Sequence, residues 1–269
     1  MPNSSVEQTG LCLRGVAKTF ANGPGAGVSA LARVDLSIAP GEIVAVVGTS
    51  GCGKSTLLRI AAGLERDHEG AVELDGATVT GQGPGLERGL LFQEHRLMPW
   101  LTVEENVAFG VRPLAPDARQ KTVSKHIALV GLAGFERLYP HQLSGGMAQR
   151  AALARALAPE PRVLLLDEPF GALDALTKMQ MQDEILRIWD RERTTLLLVT
   201  HDIEEAVYLA DRAIVMTGRP GAITDAIPIT LPRPRDRTSA AFAAVRREVY
   251  DALFARRSAA HSSSGSLHF

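Results

Sequence analysis

Gly48-Thr49-Ser50-Gly51-Cys52-Gly53-Lys54-Ser55-Thr56 has the spacing G-x-x-x-x-G-K-[ST]. Glycines at these intervals let the backbone turn its amides inward around phosphate oxygens. A helix that starts at the end of such a loop adds unpaired N–H groups and the positive end of its dipole. Lys54 can then reach the β- and γ-phosphates of a nucleotide, and the Ser55 hydroxyl can ligate Mg²⁺. A chance glycine-rich turn is the plain alternative. Farther on, Val163-Leu164-Leu165-Leu166-Asp167-Glu168-Pro169 runs from an apolar stretch into two carboxylates. At the C-terminal edge of a buried strand, Asp167 can hold Mg²⁺ and Glu168 can deprotonate a water for in-line attack on a γ-phosphate. Two acids closing a strand in a solvated loop would read alike in isolation, but beside a phosphate loop the chemical reading is favoured. A third stretch, Leu143-Ser144-Gly145-Gly146-Met147-Ala148-Gln149-Arg150, puts Ser-Gly-Gly at a helix start. Its amides and dipole again suit an anion, although alone it could be a simple N-cap.

These residues need elements to hold them. Ile43–Val47 is a β-branched run that reads as a buried strand entering the phosphate loop, and Leu57–Ala62 reads as the first turns of a helix leaving it. Leu11–Phe20 and Val34–Ile38 read as strands, the latter stopped by Pro40-Gly41, with a loop over 22–30 between them. Ala71–Gly76 is a short strand with a turn, and Leu90–Phe92 another, ending at Gln93. Between about 94 and 158 the character turns helical: Thr102-Val103-Glu104-Glu105 is a capping box, Pro116-Asp117 opens a second helix, and Gly145-Gly146 a third. Alternation resumes with a strand at Val163–Leu166 and a helix over 174–191, whose Met181, Ile185, Ile188 and Trp189 face a core. A strand at Thr195–Thr200, a helix over 202–209 and a strand at Ala213–Met216 complete the pattern. Beyond Pro232, Arg233-Pro234-Arg235 reads as a linker and Phe242, Val245, Val249 and Leu253 as one face of a helix ending near 257. Residues 1–10 read as a flexible N-terminus and 258–269 as a disordered tail.

With 45% hydrophobic and 22% charged residues the chain suits a soluble α/β domain carrying an inserted lobe. A net charge of -1 gives no global basic field for nucleic acid, and the C-terminal arginines are interspersed with Asp236, Glu248 and Asp251, as on a solvated helix face. Two cysteines, Cys12 and Cys52, argue against a disulfide framework or a cysteine-rich zinc site and fit a reducing cytosol. The N-terminus lacks the apolar stretch of a signal peptide, and no run approaches the length that spans a bilayer. Any membrane part must come from another chain.

Taken together, the motifs resemble those of the nucleotide-binding subunit of ATP-binding-cassette (ABC) transporters. The ordered set is Gly48–Ser55 (Walker A), Gln93 (Q-loop), Leu143–Gln149 (signature), Val163–Glu168 (Walker B), Ala172-Leu173-Asp174 (D-loop) and His201 (switch). Met147 stands where the family often has Gln, a minor departure. The resemblance covers 11–231 and implies a phosphate-loop NTPase core of the RecA-like type, an antiparallel β subdomain and an inserted helical signature subdomain. It implies ATP and Mg²⁺ as cofactors and an ATPase coupled to transport. Phe20 would stack on adenine, although core packing at a strand end is its alternative. Gln93 would touch the Mg²⁺ shell and relay to the membrane partner. Ser144, Gly145 and Gly146 would meet the nucleotide of an opposite protomer, Asp174 would lie across that interface, and His201 would contact the γ-phosphate. The active unit would be a head-to-tail dimer, two-fold symmetric if its subunits are identical.

A finer resemblance rests on Leu91-Phe92-Gln93-Glu94-His95-Arg96-Leu97-Met98-Pro99-Trp100, on Tyr208–Arg212 and on Gly218-Arg219-Pro220-Gly221. It is to importers of nitrate, aliphatic sulfonates and taurine, the sulfonate and taurine members above all. It implies two transmembrane permease subunits, a periplasmic or extracellular substrate-binding protein, no nucleic acid, and a peripheral position on the cytoplasmic face of the membrane. Leu97–Trp100 would help dock the permease or pack the helical lobe. The rivals are a phosphotransferase, which has no use for Leu143–Gln149, and a non-transport ABC ATPase of repair or translation. The latter would need coiled coils, zinc cysteines or a second cassette.

Overall fold

The computed structural model describes residues 10–21, 27–79 and 85–262, with side chains up to 254. Its centre is β3 (Ile43–Gly48), in which every residue is buried. A strand covered on both faces must be apolar at consecutive positions, and Ile43, Ala45 and Val47 enter one core while Val44 and Val46 enter another. On the second side lie an antiparallel sheet and a helix. The sheet comprises β1 (Leu11–Phe20), β2 (Val28–Ile38), β4 (Glu69–Leu74) and β5 (Ala77–Thr78), ordered β2-β1-β4-β5, and the helix is α1 (Lys54–Ala61). β2 begins at Val28, inside the stretch 22–30 expected as a loop, because Val28 and Ser29 pair with Phe20 and Thr19 of β1.

β3 belongs to a six-stranded sheet with β6 (Arg88–Leu91), β7 (Val163–Asp167), β8 (Thr195–Thr200), β9 (Arg212–Thr217) and β10 (Ala222–Pro228), ordered β10-β9-β3-β8-β7-β6. All neighbours are parallel except β10, which returns antiparallel along β9. β10 was not legible in the chain: its residues are half-buried at an edge and show no alternation.

The helical lobe is made of α2 (Val103–Phe109), α3 (Pro116–Leu129) and α4 (Gly145–Leu157). The capping box at Thr102 forms, with Thr102 Oγ1 accepting from the Glu105 amide and Glu105 accepting from the Thr102 amide. α5 (Ala175–Glu192) and α6 (Ile203–Leu209) cover the first face of the sheet, with Met181, Ile185, Ile188 and Trp189 buried as expected. α7 (Ala240–Ser262) packs over α6 and β9 through Phe242, Val249 and Leu253.

Two expectations need correction. The stretch 232–235 is no loose linker: Arg235 is buried and donates to five main-chain carbonyls, because the last oxygens of α6 would otherwise be unpaired. The helix also runs to Ser262, into the stretch expected to be disordered, and its alanines and arginines carry high helix propensity. The expectations for residues 1–9 and 263–269 lie outside the described residues.

Candidate nucleotide site

The phosphate loop hangs between the end of β3 and the start of α1. Gly53 caps α1 at φ +92°, and a Cβ there would lie 2.6 Å from Leu31 Cδ2 and 2.7 Å from the Ala30 carbonyl oxygen. Only glycine meets both demands. α1 has no acidic residue in its first turn, so the positive end of its dipole is left for an anion. Lys54 is buried, and its Nζ donates to the carbonyls of Gly48 (2.8 Å) and Thr49 (3.1 Å). The Cys52 amide donates to Thr49 at 3.3 Å, closing the turn through Ser50 and Gly51, and the Cys52 thiol is buried beneath it. Ser55 and Thr56 follow in the first turn of α1, both partly exposed.

The strand register brings the distant carboxylates to this loop. β7 and β8 run parallel with Asp167 opposite Val199, and β8 runs parallel to β3. Ser55 Oγ donates to Asp167 Oδ1 at 3.0 Å. Burial pushes the Asp167 carboxyl up, the Ser55 hydrogen bond and the charges of Arg59 and Lys54 draw it back, and neighbouring Glu168 adds repulsion. A hydroxyl and a half-buried carboxylate fit Mg²⁺, a hard ion that takes few protein oxygens and keeps water and phosphate as its other ligands. Glu168 sits at φ +46°, a left-handed conformation that costs a non-glycine residue about 1–2 kcal/mol. Its amide donates to the Val199 carbonyl (2.9 Å), and its own carbonyl accepts from the Gly171 amide (3.1 Å). This turn aims the side chain at His201, with Oε2 3.1 Å from Nδ1. Gln93, exposed just past β6, brings its Nε2 to 3.0 Å from where a Gly171 Cβ would stand. Lys54, Ser55, Asp167, Glu168, His201 and Gln93 are thus assembled at one sheet edge.

The other predicted residues lie elsewhere. Ser144 caps α4, its Oγ accepting from the Met147 amide at 3.3 Å. Gly145 and Gly146 turn toward Leu173 and Thr177, not toward the phosphate loop. Asp174 caps α5, accepting from the amides of Leu176 and Thr177 and from the Thr177 hydroxyl, and these hydrogen bonds hold its carboxyl below the usual range. Beside it Leu176 and Met179 are exposed. Phe20 is 39% exposed at the open end of β1, outside the core, with the Lys18 ammonium 4.7 Å from its ring centre.

Several residues around the site escaped the sequence reading. Gln149 is buried and donates to the Pro169 carbonyl at 2.7 Å, tying the signature helix to the turn after Glu168. Arg219 Nη2 donates to the Ser50 carbonyl at 3.3 Å, which lays a cation on the phosphate loop. Lys178 pairs with both Asp202 and Glu205 at 2.6 Å, and Glu205 accepts from the Thr200 hydroxyl. Asn106 is fully buried and bonds Met98, Leu101 and Thr102, which holds Trp100 out at 72% exposure. Asn106 finds its partners, and Glu205 the Thr200 hydroxyl, within eight residues, whereas Gln149, Arg219 and Lys178 reach partners far along the chain; of these three, Gln149 and Arg219 stood in stretches already singled out, without any signal of what they touch.

The family model described as ABC transporter matches residues 31–171. The aliphatic sulfonates import ATP-binding protein SsuB of Bacillus subtilis is 52% identical over 81% of this chain and 85% of its own length. An uncharacterized ABC transporter ATP-binding protein of Methanocaldococcus jannaschii is 50% identical over 84% of this chain and 85% of its own. Among solved structures, a dimeric ATP-binding cassette in a post-hydrolysis state bound to ADP and Pi superposes with a TM-score of 0.72. It is 31% identical and covers 82% of this chain and 100% of that one.

Proposed function

The chain belongs to the ABC transporter family, and from that membership we propose that it is the ATP-hydrolysing subunit of an importer of aliphatic sulfonates. The convergence of Lys54, Ser55, Asp167, Glu168 and His201 at one sheet edge carries the ATPase part of the reading. The phosphate-loop amides and Lys54 bind and orient the β- and γ-phosphates. Ser55 and Asp167, with Gln93 at the margin, would hold Mg²⁺, which when bound offsets charge on the phosphate oxygens. Glu168 takes a proton from the water that attacks the γ-phosphorus, the bond to the β–γ bridging oxygen breaks, and ADP and phosphate leave. His201, hydrogen-bonded to Glu168, faces the γ-phosphate. Phe20, half-exposed, stacks on adenine.

Ser144, Gly145, Gly146 and Asp174 close on the nucleotide of a second copy, a reading supported by their contacts, which run to Leu173, Thr177 and the starts of α4 and α5 and not to residues 48–56, and by the dimeric state of the solved relative. A homodimer with two equivalent sites is proposed. Among the described residues no helix is long and apolar enough to cross a membrane. Two permease subunits supply the passage, a substrate-binding protein delivers the solute, and the cassette sits on the cytoplasmic face. The sulfonate class rests on what the SsuB relatives are named for. Growth of a strain lacking the gene tests it, on an alkanesulfonate or taurine as sole sulfur source, on sulfate, and on nitrate as sole nitrogen source. Loss of growth on the organosulfur compounds alone, rescued by the wild-type gene but not by Glu168→Gln, is expected. A defect on nitrate only would move the protein to that branch and overturn the sulfonate reading.

A further inference from the structure

The chain beyond Pro232 is wound tightly around α6, the helix that follows His201. α6 has only seven residues, too short to hold its own shape in water. Its last carbonyls have no partner within the helix. Arg235 fills them: Nη1 donates to Val207 (2.8 Å), Tyr208 (3.1 Å) and Ala210 (2.6 Å), while Nη2 and Nε reach Ile229 and Leu231. No carboxylate is among these partners, so a buried cation is balanced by carbonyl dipoles at the negative end of a helix. Burial draws its guanidinium down to about 10. Arg233 adds bonds to Leu209 O and to Asp211 Oδ1.

The same segment reaches α5. Arg237 Nη2 donates to Gln182 Oε1 at 2.6 Å, its Nη1 pairs with Glu204 at 3.3 Å, and its guanidinium lies 3.5 Å from the Tyr208 ring centre. Glu204 takes a second cation from α7, Arg246, at 3.4 Å. At the other end of α6, Asp202 caps the helix next to His201 and pairs with Lys178 of α5. Tyr208 also donates to Asp183 of α5. α5 and α6 are therefore laced from end to end, and the C-terminal arginines supply the caps at the far end of α6 and, through Arg237, a grip on Glu204 in its first turn.

We infer that Arg233, Arg235 and Arg237 form a clasp that fixes α6 against α5 and thereby holds His201 in register for hydrolysis, the C-terminal segment being a positioning device for turnover. The inference rests on the switch role proposed for His201. A segment that merely glued the fold would lower stability, nucleotide binding and turnover together. A positioning clasp acts on kcat and leaves the phosphate loop alone, because none of its bonds reaches residues 48–56.

The test uses the full chain with Arg237→Ala, Arg237→Lys and His201→Ala. Arg237 is chosen over Arg235 because it lies at the clasp's outer edge, where loss of one side chain leaves the α6 end caps in place. Three quantities are read: kcat and KM for MgATP, the stoichiometry of a fluorescent ATP analogue, and amide exchange over 201–210 against 43–61. Arg237→Ala is expected to lower kcat about tenfold with KM within about twofold, since small misplacements of a reacting group cost rate. Stoichiometry stays full, and exchange quickens over 201–210 only. Arg237→Lys recovers part of kcat, keeping the charge for Glu204 but not the flat stacking on Tyr208. Unchanged kcat, or a parallel fall in stoichiometry and kcat, overturns the clasp. His201→Ala at wild-type rate would sink the switch role itself, whereas an inactive His201→Ala beside a fully active Arg237→Ala sinks the clasp alone.

Discussion

Glu168→Gln is expected to separate binding from turnover in this site. The substitution keeps the shape of the side chain and both main-chain anchors, to Val199 and from Gly171. What it removes is the basicity of a carboxylate 3.1 Å from His201. Loss of a positioned general base costs about 10²- to 10⁴-fold in rate, equivalent to about 3–5 kcal/mol on the barrier. Affinity moves the other way. Glu168 raises the neighbouring Asp167 carboxyl by repulsion, so its neutralisation leaves the pocket less hostile to phosphate and Asp167 freer to hold a cation. The expected variant therefore binds MgATP at least as tightly as wild type and releases phosphate at the limit of detection. Titration with a fluorescent ATP analogue and a phosphate-release assay on the same preparation read the two quantities. Near-wild-type hydrolysis would remove Glu168 from the general-base role. Lost binding with residual turnover would refute the electrostatic reasoning as well.

Asp167→Asn should stabilise the metal-free protein while abolishing turnover. A carboxyl raised on folding above 3.8 costs stability once pH exceeds that value, so the gain in Tm measured in chelator should be full at neutral pH and shrink as pH falls toward 3.8. A loss of Tm at neutral pH would contradict it. Arg219→Ala should raise the KM for ATP by between about 1.5- and 5-fold, the range of an exposed charge contact, with kcat unchanged and a weaker salt dependence. An unaltered KM across a salt series would mean that the guanidinium only rests on the loop.

The sheet and the edge that gathers Lys54, Ser55, Asp167 and Glu168 were legible because each depends on local rules. β3, β7 and β8 are continuous apolar runs, the phosphate loop announces itself by glycine spacing, and Thr102, Asp174 and Asp202 are helix caps with side chains of the expected kind. β10 and the Arg233–Arg237 clasp were not legible, for the opposite reason. β10 owes its existence to the free edge of β9, and Arg235 owes its burial to carbonyls more than twenty residues upstream. A proline–arginine run looks solvated until the helix end that it covers is known. The same holds for Lys178, whose two carboxylates lie on another helix.

One helix meets most of what the site needs from outside itself. α5 is capped by Asp174, packs Thr177 against Gly146 of the signature turn, and pairs Lys178 with the cap of the helix that follows His201. If the signature turn closes on a second copy's nucleotide, its position is transmitted to α5 through a contact with no slack: a Cβ on Gly146 would stand 2.7 Å from Thr177 Cγ2. Four residues of helix then separate the signature contact from the Gln182 grip of Arg237. A displacement that opens the dimer would pull on the same rod that sets His201 in its own protomer. In the proposed dimer this would make the two sites mechanically dependent through packed side chains, with no contact required between the nucleotides themselves.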